Sequence, residues 1–107
     1  MPDTTSSGRK ARRVAEGVAY WSPARWRLPA PGGGHRVEAM TTLIQTLADV
    51  GAAAEDRPPR PVPRLPHDTA LPDQLRVVAD DLDRAEPLGE LREAAEKAIA
   101  QARSVLF

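Results

Sequence analysis

Apolar residues return at alternating spacings of three and four along three stretches of this chain. Such spacing places side chains on one face of an α-helix. We therefore predict helices at residues 36–55, 70–85 and 88–106, each with one apolar face. The residues that define the three faces are Val37, Met40, Ile44, Leu47, Gly51 and Ala54, then Leu71, Leu75, Val78, Leu82 and Ala85, and finally Leu88, Leu91, Ala95, Ala98, Ala102 and Val105.

The breaks between these stretches predict an all-α fold with a small three-helix arrangement, a helical hairpin plus one helix. The first helix occupies 35–55 and ends before "RPPRP", because proline excludes the preceding residue from helical geometry. Residues 56–68 form a Pro-rich linker, expected as polyproline II with a reach of about 30 Å. The short break at Pro87 predicts an antiparallel helical hairpin over 69–107.

The first third of the chain lacks a clear period. Residues 1–10 have almost nothing to bury and are expected as a disordered basic tail. Residues 11–34 are rich in Trp, Arg, Pro and Gly, and we expect a partly irregular arm folded over the helices. Val14, Val18 and Trp21 fit a helix, whereas Val14, Glu16 and Val18 also alternate as in a strand, and a glycine between them weakens both interpretations.

Composition suggests that the chain acts together with a partner. Only about sixty residues carry regular patterns, which is close to the lower limit for an independent core. The hydrophobic content is 41% and depends heavily on alanine, which buries little area. We therefore expect binding to another protein or self-association as a homo-oligomer.

The sequence offers no residue set that defines an enzyme, and we predict no catalytic residues, no cofactor and no metal site. It contains no cysteine, and His35 and His67 lack companions at metal-ligand spacing. "PGGGH" lacks the lysine of a phosphate-binding loop, and "DDLD" spreads its carboxylates around a helix. No small-molecule substrate is evident.

Arginine supplies most of the positive charge, and with the abundant Ala, Pro and Gly this is typical of bacterial coding. No apolar run is long enough to span a membrane, and no secretory signal follows the basic start. We therefore expect a bacterial protein located in the cytoplasm, with no membrane partner.

The stretch "WSPARW" has two interpretations. Ser22 is suited to cap a helix and Pro23 to begin it, which places Trp21 and Trp26 at the two contacting positions of a hydrophobic staple. This structural interpretation is favoured. The alternative is a platform on which bases stack, with arginines on the phosphates.

Charge is uneven along the chain although the net charge is zero. Residues 1–36 hold seven basic residues against two acidic, hence +5, whereas residues 65–107 hold five against nine, hence −4. Such asymmetry indicates either a nucleic-acid-binding arm on an acidic body or two halves that attract each other.

The leading functional hypothesis is a small non-enzymatic binding or regulatory protein that acts through apolar helix faces and self-associates. Its candidate protein interface comprises Trp21, Trp26, Ile99, Val105, Leu106 and Phe107. The alternative hypothesis is a nucleic-acid-associated protein that uses the basic N-terminal arm. Its candidate contacts are Arg9, Lys10, Arg12, Arg13, Arg25 and Arg27.

The Pro-rich linker also contains a known recognition pattern. Arg60, Pro63 and Pro66 match the Arg-x-x-Pro-x-x-Pro spacing that docks on SH3 grooves. Because any segment rich in arginine and proline produces such a match by chance, a linker is the preferred interpretation.

Overall fold

The amphipathic stretches of the chain form helices. The computed structural model describes residues 6–107, which contain no β-strand, so the all-α prediction is confirmed. The three predicted helices agree with the observed ones to within one residue at each end. The helices are α1 (Ser7–Val18), α2 (Pro23–Trp26), α3 (Arg36–Ala54), a 3₁₀ helix (Asp68–Ala70), α4 (Leu71–Ala85) and α5 (Gly89–Leu106).

The four long helices pack as a ring. Helix α1 packs on α4 and α5, and α3 packs on the same two helices from the other side. Helices α4 and α5 follow each other in sequence, yet they make no extensive contact with one another. The predicted antiparallel hairpin of these helices is therefore not the observed packing. The physical reason is that α1 supplies a fourth helix, and α4 and α5 each bury their apolar faces on α1 and α3.

Helix α1 corrects the expectation for the N-terminal third. Residues 7–10 were expected within the disordered tail and 11–18 within the irregular arm, but both belong to α1. The hydroxyl of Ser6 accepts a hydrogen bond from the backbone N–H of Arg9 at 3.0 Å and caps the helix. The buried face is made of small residues, namely Ala11, Val14, Ala15 and Val18. Residues 1–5 of the predicted tail lie outside the described residues.

Helix α1 joins α4 and α5 through polar contacts as well as apolar ones. The guanidinium of Arg12 donates to Asp80 and to Asp83 of α4, each at 2.9 Å. The ammonium of Lys10 pairs with Glu96 of α5 at 3.1 Å. The uneven charge of the sequence therefore acts inside the molecule, since basic α1 pairs with carboxylates of α4 and of α5.

The loop before α3 sets where that helix begins. Pro29 and His35 form an isolated β-bridge that closes a turn, and Gly32, Gly33 and Gly34 all adopt positive φ within it. The carboxylate of Glu38 then accepts a hydrogen bond from the backbone N–H of His35 at 3.1 Å. This contact satisfies one of the free N–H groups at the start of α3.

The core lies inside the ring of helices. Its largest fully buried side chains are Trp26, Met40, Leu43, Leu47, Leu75, Leu82, Val14 and Val18. Buried alanines such as Ala79 and Ala95 let the helices approach closely. None of the helices among residues 6–107 is long and apolar enough to cross a membrane.

Candidate functional site

The two tryptophans form the hydrophobic staple that the sequence indicates. The hydroxyl of Ser22 accepts a hydrogen bond from the backbone N–H of Arg25 at 3.2 Å, and Pro23 begins α2. The ring centroids of Trp21 and Trp26 lie 4.8 Å apart, and Trp26 is fully buried. Both tryptophans therefore fix the entry of the chain into α2 and extend the core.

The ring of Trp21 is surrounded by its own chain. The guanidinium carbons of Arg25 and Arg36 lie 4.4 Å and 5.2 Å from the ring centroid, which is cation–π range. The ring of Phe107 approaches at 6.2 Å in an edge-to-face arrangement. Only 7% of Trp21 is exposed, so neither tryptophan offers a free face on which a base could stack.

Most of the predicted protein interface lies in the interior. Ile99 and Leu106 belong to the core together with Trp21 and Trp26. This burial corrects the expectation that they form an exposed surface, because these side chains pack into a core that α1 completes. Of the remaining two candidates, Val105 is half-buried beside a surface groove and Phe107 is 63% exposed.

The six basic residues of the nucleic-acid hypothesis are not gathered into one site. Lys10 and Arg12 pair with carboxylates of other helices, and Arg25 stacks on Trp21. The other three, Arg9, Arg13 and Arg27, are exposed. Half of the set therefore has a structural role inside the protein.

A groove between α3 and α5 forms a concave surface with a volume of about 540 Å³. It is lined by small or medium apolar side chains and by polar side chains of several lengths. The apolar residues are Ala30, Pro31, Ala39, Leu43, Ala94, Ala98, Ala102 and Val105, and the polar ones are His35, Glu38, Thr42, Thr46, Lys97 and Gln101.

Alanine spacing on α5 shapes this groove. Ala94, Ala98 and Ala102 repeat every four residues and so lie along one side of the helix. Such small side chains allow the backbone of another element to come close. The sequence contains this spacing, but alanine is a weak apolar marker, so Val105 is the groove residue that the predicted interface includes.

The charges that α5 exposes are separated along its length. Glu90 and Glu93 are exposed in its first half, whereas Lys97 and Arg103 are exposed in its second half. Arg92 lies between the two glutamates of the first half, and its charge is partly offset by Glu96, with which it pairs at 3.8 Å. The exposed surface of α5 is therefore acidic at one end and basic at the other.

Within residues 6–107, no three His, Cys, Asp or Glu side chains come together in a way that could hold a metal ion. Comparison of the chain with protein-family models, with curated proteins and with solved structures finds no match.

Proposed function

We propose that this protein is a small non-enzymatic binding protein that self-associates through the groove between α3 and α5. The observation that carries the proposal is the groove itself, which is about 540 Å³ in volume and has an alanine-rich floor. Most of its residues come from α3 and α5, and the rest from the loop that precedes α3, so most of the surface is formed before binding. A preformed surface loses little conformational entropy when a partner docks.

Charge on α5 argues for a second copy of the chain as the occupant. Antiparallel pairing of two α5 helices brings exposed Glu90 of one copy toward Lys97 of its partner, which lines the groove. Two-fold dimers use the same surface on both subunits, which requires this kind of self-complementarity. The alanine side of α5 then allows the two helices to approach at short distance.

Two exposed alanines of α5 provide a matched test. Ala94 lines the groove, whereas Ala100 is also exposed and does not line it. We expect sedimentation equilibrium to show a dimer for the unmodified chain and for Ala100→Glu, but a monomer for Ala94→Glu. Both substitutions change helix propensity equally, so circular dichroism should show the same helix content for both variants.

Two outcomes would refute self-association at this groove. One is an unmodified chain that stays monomeric up to about 1 mM, where the binding free energy is only about 4 kcal/mol. The other is dimerisation that Ala94→Glu and Ala100→Glu weaken equally, which would place the interface elsewhere.

Nucleic-acid binding is the second candidate function, and the exposed basic residues of α1 favour it. Arg9 and Arg13 are four residues apart and both exposed, and the 99% exposed Tyr20 follows the helix. On this hypothesis, affinity for a single-stranded oligonucleotide falls linearly with log salt, with a slope of about 0.7 per phosphate contact. The double variant Arg9→Ala, Arg13→Ala should reduce that slope. Absence of binding at low salt would exclude this function.

A further inference from the structure

The segment between α3 and the 3₁₀ helix lies along the surface of the protein. Residues 57–66 contain five prolines and three arginines and form no helix or strand. Every side chain in this segment is exposed except that of Val62, which is half-buried against the core. The segment therefore lies along the protein with one side chain directed inward.

Two glutamine side chains hold the backbone of this segment. The side-chain amide of Gln45 on α3 donates to the carbonyl of Arg60 at 3.0 Å and accepts from the N–H of Val62 at 2.8 Å. The side-chain amide of Gln74 on α4 donates to the carbonyl of Pro63 at 2.9 Å. These bonds fix the middle of the segment to α3 and α4. A flexible linker would not require such contacts.

The spacing of the side chains decides which of them face outward. A proline-rich extended chain adopts polyproline II, which has three residues per turn. Residues 59, 62 and 65 then share one ridge, and Val62 marks this ridge as the inner one. Arg60, Pro63 and Pro66 share a second ridge, and all three of these residues are exposed.

The outward ridge carries an available positive charge. Arg57 pairs with Glu55 and Arg64 with Asp68, both at 2.9 Å. The guanidinium of Arg60 is exposed and has no carboxylate within salt-bridge distance among residues 6–107. Arg60 is thus the cation that a partner's carboxylate can contact.

We propose that residues 57–66 are a preformed polyproline II ligand, which docks in an aromatic-lined groove with an acidic rim on a different protein. Pro63 and Pro66 fill apolar pockets between the aromatic rings, and Arg60 pairs with the acidic rim. The glutamine contacts order the segment before it binds, so less conformational entropy is lost on docking. This inference is independent of the groove between α3 and α5.

The test uses an isolated SH3 domain and an isolated WW domain as probes, titrated calorimetrically with the full chain. We expect at least one of them to bind. Arg60→Ala and Pro63→Ala should each weaken binding by about tenfold or more, because each removes a contact of the outer ridge. Pro59→Ala is the matched control on the inner ridge. The affinity of this variant for the probe should stay within about twofold of that of the unmodified chain.

A second comparison tests the preformed conformation. Gln45→Ala should weaken binding by about tenfold, since freeing the backbone of one residue has roughly that effect. A synthetic peptide of residues 57–66 should also bind more weakly than the full chain. Ala94→Glu should leave the affinity unchanged, which separates this inference from the proposed self-association.

The proposal is overturned if neither probe binds the full chain at millimolar concentration. It is also overturned if Pro59→Ala and Pro63→Ala weaken binding equally, or if the peptide binds as tightly as the full chain.

Discussion

Two glycines on α1 allow a sharp test of how this helix packs. A Cβ atom added to Gly8 would lie 2.6 Å from the backbone carbonyl oxygen of Ala79 on α4. A Cβ atom added to Gly17 would instead lie 2.7 Å from the ring edge of Phe107, the exposed last residue of the chain. The backbone of α4 cannot move aside without separating two helices, whereas the ring of Phe107 can rotate into solvent.

The expected free energies differ in sign. Alanine is favoured over glycine in a helix interior by about 1 kcal/mol. Gly17 is the last but one residue of α1, so only part of this gain should appear, and Gly17→Ala should raise the free energy of unfolding by about 0.5 kcal/mol. At Gly8 the overpacking should destabilise by about 1–3 kcal/mol, and the propensity gain is small near the start of a helix. Gly8→Ala should therefore lower the free energy of unfolding by about 1–2 kcal/mol.

Urea denaturation followed by far-ultraviolet circular dichroism measures both values. The m-value should stay constant, so that a shift of the midpoint reports stability alone. If Gly8→Ala stabilises the protein as much as Gly17→Ala does, α1 does not dock closely on α4. The ring of four helices would then be refuted.

Further predictions concern the contacts of α1 and α2. Arg12→Ala should lower the free energy of unfolding by about 1 kcal/mol through loss of two partly exposed ion pairs, while exposed Arg13→Ala should change it by less than about 0.5 kcal/mol. The difference between the two changes in the free energy of unfolding should become smaller at about 1 M salt. If the two substitutions have equal effects, Arg12 does not form the ion pairs with Asp80 and Asp83. Trp26→Ala should lower the free energy of unfolding by about 3–5 kcal/mol and abolish the near-ultraviolet dichroism signal, whereas Tyr20→Ser should do neither. A stable Trp26→Ala protein would show that α2 is dispensable to the core.

Local signals in the sequence are sufficient to predict the long helices after residue 35. The buried faces of α3 and α4 contain mostly large side chains, and α5 keeps the same spacing with alanines and a few large residues, while prolines and glycines mark the breaks. The staple of Trp21 and Trp26 was also predictable, because a cap serine, a proline and two aromatics at fixed spacing are local chemistry.

Helix α1 was not predictable in the same way because its stability depends on other helices. Its buried side chains are small, so they give a weak apolar period, and its four basic residues resemble those of a disordered tail. Close approach at Gly8 and the ion pairs of Arg12 exist only once α4 is in place. Because the sequence pattern does not indicate α1, the packing that it predicts for α4 and α5 is wrong. For the same reason it predicts that Ile99 and Leu106 are exposed.

Helix α3 connects the two proposed binding surfaces. Its residues Ala39, Thr42 and Thr46 face the groove beside α5, whereas Gln45 holds the proline-rich segment on a neighbouring face. The two surfaces share no residue, so occupation of one leaves the contacts of the other in place. A dimer formed through the groove would therefore carry two proline-rich ligands. Two linked ligands raise the effective affinity for a partner with two docking grooves, without any new contact. Self-association would therefore compensate for weak binding by a single proline-rich segment.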